Sequence, residues 1–331
     1  MTVRHVTVDK PLFKLGMTLG EGEWKRRANL PTEADNKGAL WDTRTNRLYF
    51  VDIDNCRVYT YEPASKTLGY ETFPGKVSCL ALTESGDGLV GTDEVGFIHI
   101  PASSLPFPPT NSATPKRVNQ LGPTIPLGAQ EKRFNDGAVD PAGRFLAGTM
   151  GREHEQVVGR MYSLQKNGKG WEAPLVLDNI TCTNGMGWSP DGRTMYFTDS
   201  WIQEIAAFDY DVATGTMSNR RTFSRLVDPA YGEPDGLCMD AAGGVWSARW
   251  QSGKVVRFDP TGRITDEVDI PTAWHVTCVV FGGDRLDELY VTTADTGYNG
   301  EVIPERVDGG SLFVVAGLGY TGVERTRFKD A

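Results

Sequence analysis

The sequence predicts an all-β chain folded as a six-bladed β-propeller, one domain over residues 1–331, and three observations carry that reading. The composition is rich in turn formers, 38 Gly and 19 Pro, with no long apolar helical stretch between them. Short strand–turn–strand units recur along the whole chain. Six such units start roughly 40 to 57 residues apart, which is the length of a propeller blade.

Taken in order, blade one is read in Leu40-Trp41-Asp42, residues 47–53 and residues 57–61, with Thr43-Arg44-Thr45-Asn46 as its first turn. Blade two repeats the rhythm at 79–83, 88–92 and 96–100, turned by Glu84-Ser85-Gly86-Asp87. Blade three starts at Asn135, turns at Asp140-Pro141-Ala142-Gly143 and ends near 161–164. Blade four runs from Asn184 to 205–211, blade five from Asp235 to 255–259, and blade six from Cys278 through 289–293 to 311–315. The rhythm breaks over about 101–132, where seven prolines rule out a central strand. That stretch is expected to be a long loop between blades two and three, either a lid over the channel mouth or an ordinary surface excursion. Residues 3–15 are expected to add a strand to the C-terminal sheet and close the ring.

Charge and cysteine usage narrow the function classes. A net charge of −9 with no basic stripe argues against a nucleic-acid surface. Five scattered cysteines with no Cys-x-x-Cys spacing read as reduced, mostly buried thiols. Residues 1–10 carry charges and no apolar targeting core, and no run is long enough to cross a bilayer, so the expectation is a cytoplasmic protein that does not engage membranes. The histidines His5, His99, His154 and His275 fall in no nucleophile or metal motif and are read as structural.

In a propeller, the first strand of each blade lines the central channel. Asn135, Asn184 and Asp235 stand at the starts of three such strands and would meet at one end of it. Converging carboxylate and amide oxygens suit a hard divalent cation. Asn or Asp before Gly also simply makes turns, and spacing alone leaves both readings open.

The chain resembles the SMP-30/gluconolactonase/LRE family, the regucalcin-like sugar lactonases. The matching pieces are Arg133-Phe134-Asn135-Asp136-Gly137 with Asp140-Pro141, Gly148-Thr149-Met150, Asn184-Gly185 and Pro234-Asp235-Gly236. Supporting pieces from Phe50-Val51-Asp52-Ile53 to Gly317-Leu318-Gly319 spread the likeness over nearly the whole chain. The resemblance implies one bound divalent cation, calcium first, with zinc, manganese or magnesium as alternatives. It makes Asn184 and Asp235 ligands and Asp235 the general base, and it matches Arg133, Asn135 and Glu153 to substrate contacts.

The third ligand implied is a glutamate at the start of blade one. Leu19-Gly20-Glu21-Gly22 carries it, but the tryptophan expected four residues later is Trp41. Counted back from Trp41, the ligand position holds Lys37, which as an ammonium cannot bind a cation. Removing about 23–38 restores the pattern, so this stretch reads as an insertion, either a surface loop or a translated intron, and Glu21 as the ligand.

The implied reaction is hydrolysis of a sugar lactone to its hydroxy acid, with the cation polarising the carbonyl and activating water beside Asp235. Rival readings are a hydrolase of another ester or phosphotriester, and a calcium-binding propeller without turnover. The expected partner is a small lactone, and the expected state is a monomer or weak homo-oligomer.

Overall fold

The computed structural model describes residues 2–15, 36–154, 156–295 and 303–331. Among them the strands form six sheets, the blades of a six-bladed β-propeller. The inner strands are Asn36–Asp42, Leu80–Leu82, Glu131–Val139, Thr183–Trp188, Glu233–Met239 and His275–Gly282, for blades one to six. Within each blade, successive strands pair antiparallel and run outward from the axis. No helix among the described residues is long and apolar enough to cross a membrane.

The period of two along each inner strand explains the packing. Leu40 faces a cluster shared with blade two, while its neighbours Ala39 and Trp41 face one shared with blade six. Leu237 and Met239 likewise pack toward blade four, and Cys238 toward blade six. Each apolar cluster thus fills one junction between neighbouring blades, and the core is a ring around the channel. The junction of blades one and six closes that ring, with Trp41 stacked on Tyr290 at 5.3 Å.

The turns explain the recurring Asp-x-x-Gly. Asp140 Oδ1 accepts from the amides of Ala142 and Arg144 at 2.9 and 2.8 Å, and Asp240 Oδ1 accepts from those of Ala242 and Gly244 at 2.9 Å. Gly143 and Gly243 then close the turns at φ 89° and 80°, where a side chain would be strained.

Three expectations change. The N-terminal strand, Arg4–Thr7, adds in parallel to the outer strand of blade five, while Leu12 and Phe13 reach the last sheet through backbone bonds to Leu312. The proline-rich stretch includes the outer strand of blade two, Asn119–Thr124, with Pro123 tolerated on a sheet edge. The residues before it run along the edge of blade one instead of crossing the channel mouth, held by Asn111 N–H to Tyr70 O and Lys116 N–H to Thr72 O at 3.0 and 2.7 Å. The open edge of blade one's outer strand, Thr67–Thr72, is what captures them. Finally, Asn36, Lys37 and Gly38, assigned from the sequence to the insertion, belong to the inner strand of blade one, where Lys37 pairs with Val51.

Candidate active site

A shared irregularity aims the site residues into the channel. The inner strands of blades three, four and five each lose register against their partner, between Phe134 and Asp136, Thr183 and Met186, and Pro234 and Leu237. Asn135, Asn184 and Asp235 sit in those bulges. A bulge bends the strand and re-aims a side chain that regular pleating would send toward a blade junction. Glycine follows the bulged residue in blades four and five because the next inner strand is too near: a Cβ on Gly185 would lie 2.2 Å from the Leu237 nitrogen, and one on Gly236 2.9 Å from the Cys278 Cα.

The three residues gather at the floor of a cavity of about 360 Å³ at one end of the axis. They belong to a directed chain of hydrogen bonds across blades. Arg133 Nη1 donates to Asn135 Oδ1. Asn135 Nδ2 donates to Thr183 O at 2.6 Å and to Asn184 Oδ1 at 3.2 Å. Asn184 Nδ2 donates to Ser200 Oγ at 2.6 Å, and Ser200 Oγ donates to Pro234 O at 2.6 Å, beside Asp235. Buried amides are oriented by such partners, so both asparagines are held in one rotamer. At the opposite end the channel narrows against Arg325 and Thr326 of the C-terminal segment, and Arg325 donates to Leu237 O at 3.2 Å.

Lys37 completes the floor. Its Nζ lies 2.9 Å from Asp235 Oδ1, and the two side chains are only 6 % and 4 % exposed. The cavity wall adds Lys132, Arg152 and Glu233, so among the described residues its lining carries four cationic side chains against two anionic ones in a protein of net charge −9. His154 lines the cavity too, stacked on Trp201 at 5.0 Å and with Nε2 2.8 Å from Glu233 Oε1. Trp250 forms a second aromatic wall.

Cys182 lies between these groups without their chemistry. Burial pushes its thiol up to about 12, against the pull of Lys37 and Arg133, so it stays protonated and is no nucleophile. Asp199 braces the entry to the blade-four strand by accepting from the amides of Thr181 and Cys182 at 3.1 and 3.0 Å. Its burial outweighs these bonds and raises its carboxyl above the usual range.

Arg133, Asn135, Asn184 and Asp235 are thus brought together. Glu153 stands apart: it is exposed on the turn after the second strand of blade three, outside the cavity lining, while its neighbours Arg152 and His154 line it. Glu21 lies outside the described residues. Sequence reasoning passed over Ser200, Trp201, Glu233 and Trp250, and took His154 as structural. The signal available was a tryptophan at or just past the end of the second strand in blades four and five.

A divalent cation does not fit the described floor as it stands. Asn184 and Asp235 offer it oxygens, but an ammonium already touches the carboxylate. A dication about 4 Å from that ammonium would be repelled by roughly 8 kcal/mol at an effective dielectric of 20.

Residues 36–295 match the SMP-30/Gluconolactonase/LRE-like region. Regucalcin of Xenopus laevis is 33% identical over 295 residues, covering 87% of this chain and 93% of its own. A luciferin-regenerating enzyme superposes with a TM-score of 0.79 at 29% identity, over 91% of this chain and 97% of its own. A calcium-binding protein, regucalcin, from Agrobacterium tumefaciens superposes with a TM-score of 0.81 at 22% identity, over 99% and 100% of the two chains, a likeness of fold. With its cavity, bulged inner strands and this span of likeness, the chain belongs to the SMP-30/gluconolactonase/LRE-like family.

Proposed function

We propose that this protein hydrolyses a sugar lactone to its hydroxy acid in the channel-mouth cavity. The observation that carries the reading is a nearly buried carboxylate, Asp235, set among cationic and amide donors at the floor of a cavity wide enough for a sugar ring. Membership in a family named for gluconolactonase supports it. Asp235 takes a proton from water, and the hydroxide formed attacks the lactone carbonyl. Lys37 and Arg133 stabilise the negative charge that develops on the carbonyl oxygen. The tetrahedral intermediate collapses, the ring C–O bond breaks, and the proton held by Asp235 passes to the ring oxygen. The cationic side chains among the described lining attract the carboxylate that the reaction forms. Trp201 and Trp250 present flat faces for the C–H side of a sugar, and Asn135 and Arg133 lie within reach of its hydroxyls.

The calcium-binding relative supports a cation, calcium before zinc, manganese or magnesium, but the described residues leave it no place beside Lys37 and no step above uses one. Glu153, from its exposed turn, would reach substrate only at the cavity rim. The ligand is proposed to be a small molecule bound by a monomer or weak homo-oligomer.

Proton release from a panel of aldonolactones, with phosphotriesters alongside, tests the reading. Asp235→Asn is expected to lower kcat by about 10²- to 10⁴-fold with an unchanged circular dichroism spectrum. Undiminished turnover in that variant, or wild-type turnover confined to phosphotriesters, would overturn it.

A further inference from the structure

We propose that Lys37 is a tethered cation that takes the place of a divalent ion at the floor of the cavity. The proposal rests on the reading of this cavity as a hydrolase site whose family relatives include a calcium-binding protein.

Placement comes first. Lys37 precedes Gly38 at a register shift of the inner strand of blade one, as Asn184 precedes Gly185 in blade four and Asp235 precedes Gly236 in blade five. A Cβ on Gly38 would lie 3.4 Å from the Cys79 Cα of the next blade, in van der Waals contact and so less tightly set than Gly185 and Gly236, but the strand still lies against its neighbour there. The ammonium therefore enters the floor from the equivalent point of a third blade. Its contact is with Asp235, the one carboxylate at that floor among the described residues.

Chemistry comes second. An ammonium is a compact point charge with three donors and no acceptor. It can neutralise Asp235 and face a carbonyl oxygen, the electrostatic part of what a metal ion supplies. Held against Oδ1, it raises the electrostatic cost of placing a dication on the same carboxylate. Both side chains are more than nine-tenths buried, so the contact is built into the packed interior and is not a passing surface pair.

Calorimetric titration of calcium and of manganese into metal-stripped protein tests this. Wild type and Lys37→Arg, which keeps the charge, are expected to show no saturable binding below about millimolar metal. Lys37→Glu, which supplies a third oxygen donor, is expected to bind one equivalent at least about 100-fold tighter. Lys37→Met gives a smaller gain in the same direction and stands in should the acidic variant fail to fold. Wild-type lactone turnover is expected to change less than about twofold in excess chelator. One equivalent of either metal bound by wild type at micromolar concentration would overturn the proposal, as would two folded charge-removing variants that bind no better than wild type. Absence of lactone turnover in every protein would count against the proposed function and leave the binding result readable.

Discussion

The Lys37–Asp235 pair can be measured without substrate or metal. At 2.9 Å and an effective dielectric of 20, the attraction between the two charges is about 6 kcal/mol. Desolvation takes back much of this, so what an experiment reads is the cost of stranding one partner. Removing one member of a buried pair costs about 3–5 kcal/mol. The side chains abut a cavity, which places this pair near the lower end. Asp235→Asn takes the carboxylate from the ammonium and Lys37→Met takes the ammonium from the carboxylate, so each is expected to lose about 3 kcal/mol. The double variant removes both charges and is expected to lose no more than the worse single, giving a coupling of about 3 kcal/mol or more. Urea unfolding of the four proteins in chelator at one ionic strength supplies the numbers. Losses that add within about 0.5 kcal/mol would show that the two charges do not meet in solution, and the account of the cavity floor would fall with them.

Arg133→Ala removes the donor that sets the Asn135 carboxamide, so KM for the best lactone should rise about tenfold or more, while Lys at this position, lacking the planar fork, should recover only part of the loss in steady-state assays. Of the five thiols, Cys56 alone is not buried, and native protein at pH 8 is expected to titrate at most one with a disulfide reagent, rising to five in denaturant; fast reaction of Cys182 would contradict its burial. Burial pushes the Glu131 carboxyl up, but hydrogen bonds from Arg160, Thr149 and the Gly128 amide outweigh it and hold the group below the usual range. Below that range the unfolded chain binds the proton first, so the stability Glu131 contributes is present at neutral pH and is lost as pH falls through its lowered folded value; Glu131→Gln should flatten that acid limb in unfolding curves taken from pH 7 downward.

Much of this molecule is a repeat, and a repeat is legible in sequence. The alternation in Ala39-Leu40-Trp41 and in Leu237-Cys238-Met239 states which side chains face which junction, because strand side chains change face at every residue. The Asp-x-x-Gly turns at Asp140 and Asp240 state where strands reverse. Asn135, Asn184 and Asp235 could be placed together before any coordinates because they recur at one point of the blade, and closing the ring brings equivalent points to the axis. What lies off the repeat was decided only in three dimensions. Glu153 and His154 are adjacent in sequence, yet one is exposed outside the cavity and the other stacks on Trp201, since a turn is oriented by what it packs against. The N-terminal strand found blade five because that sheet's outer edge was open to parallel pairing. Lys37 is the sharpest case. Counting along the chain marked it as a residue where a cation ligand is expected, and its type argued against it as that ligand. The fold shows it in that place with its charge against Asp235, because strand pairing with Val51, and not the count from Glu21, sets where blade one begins.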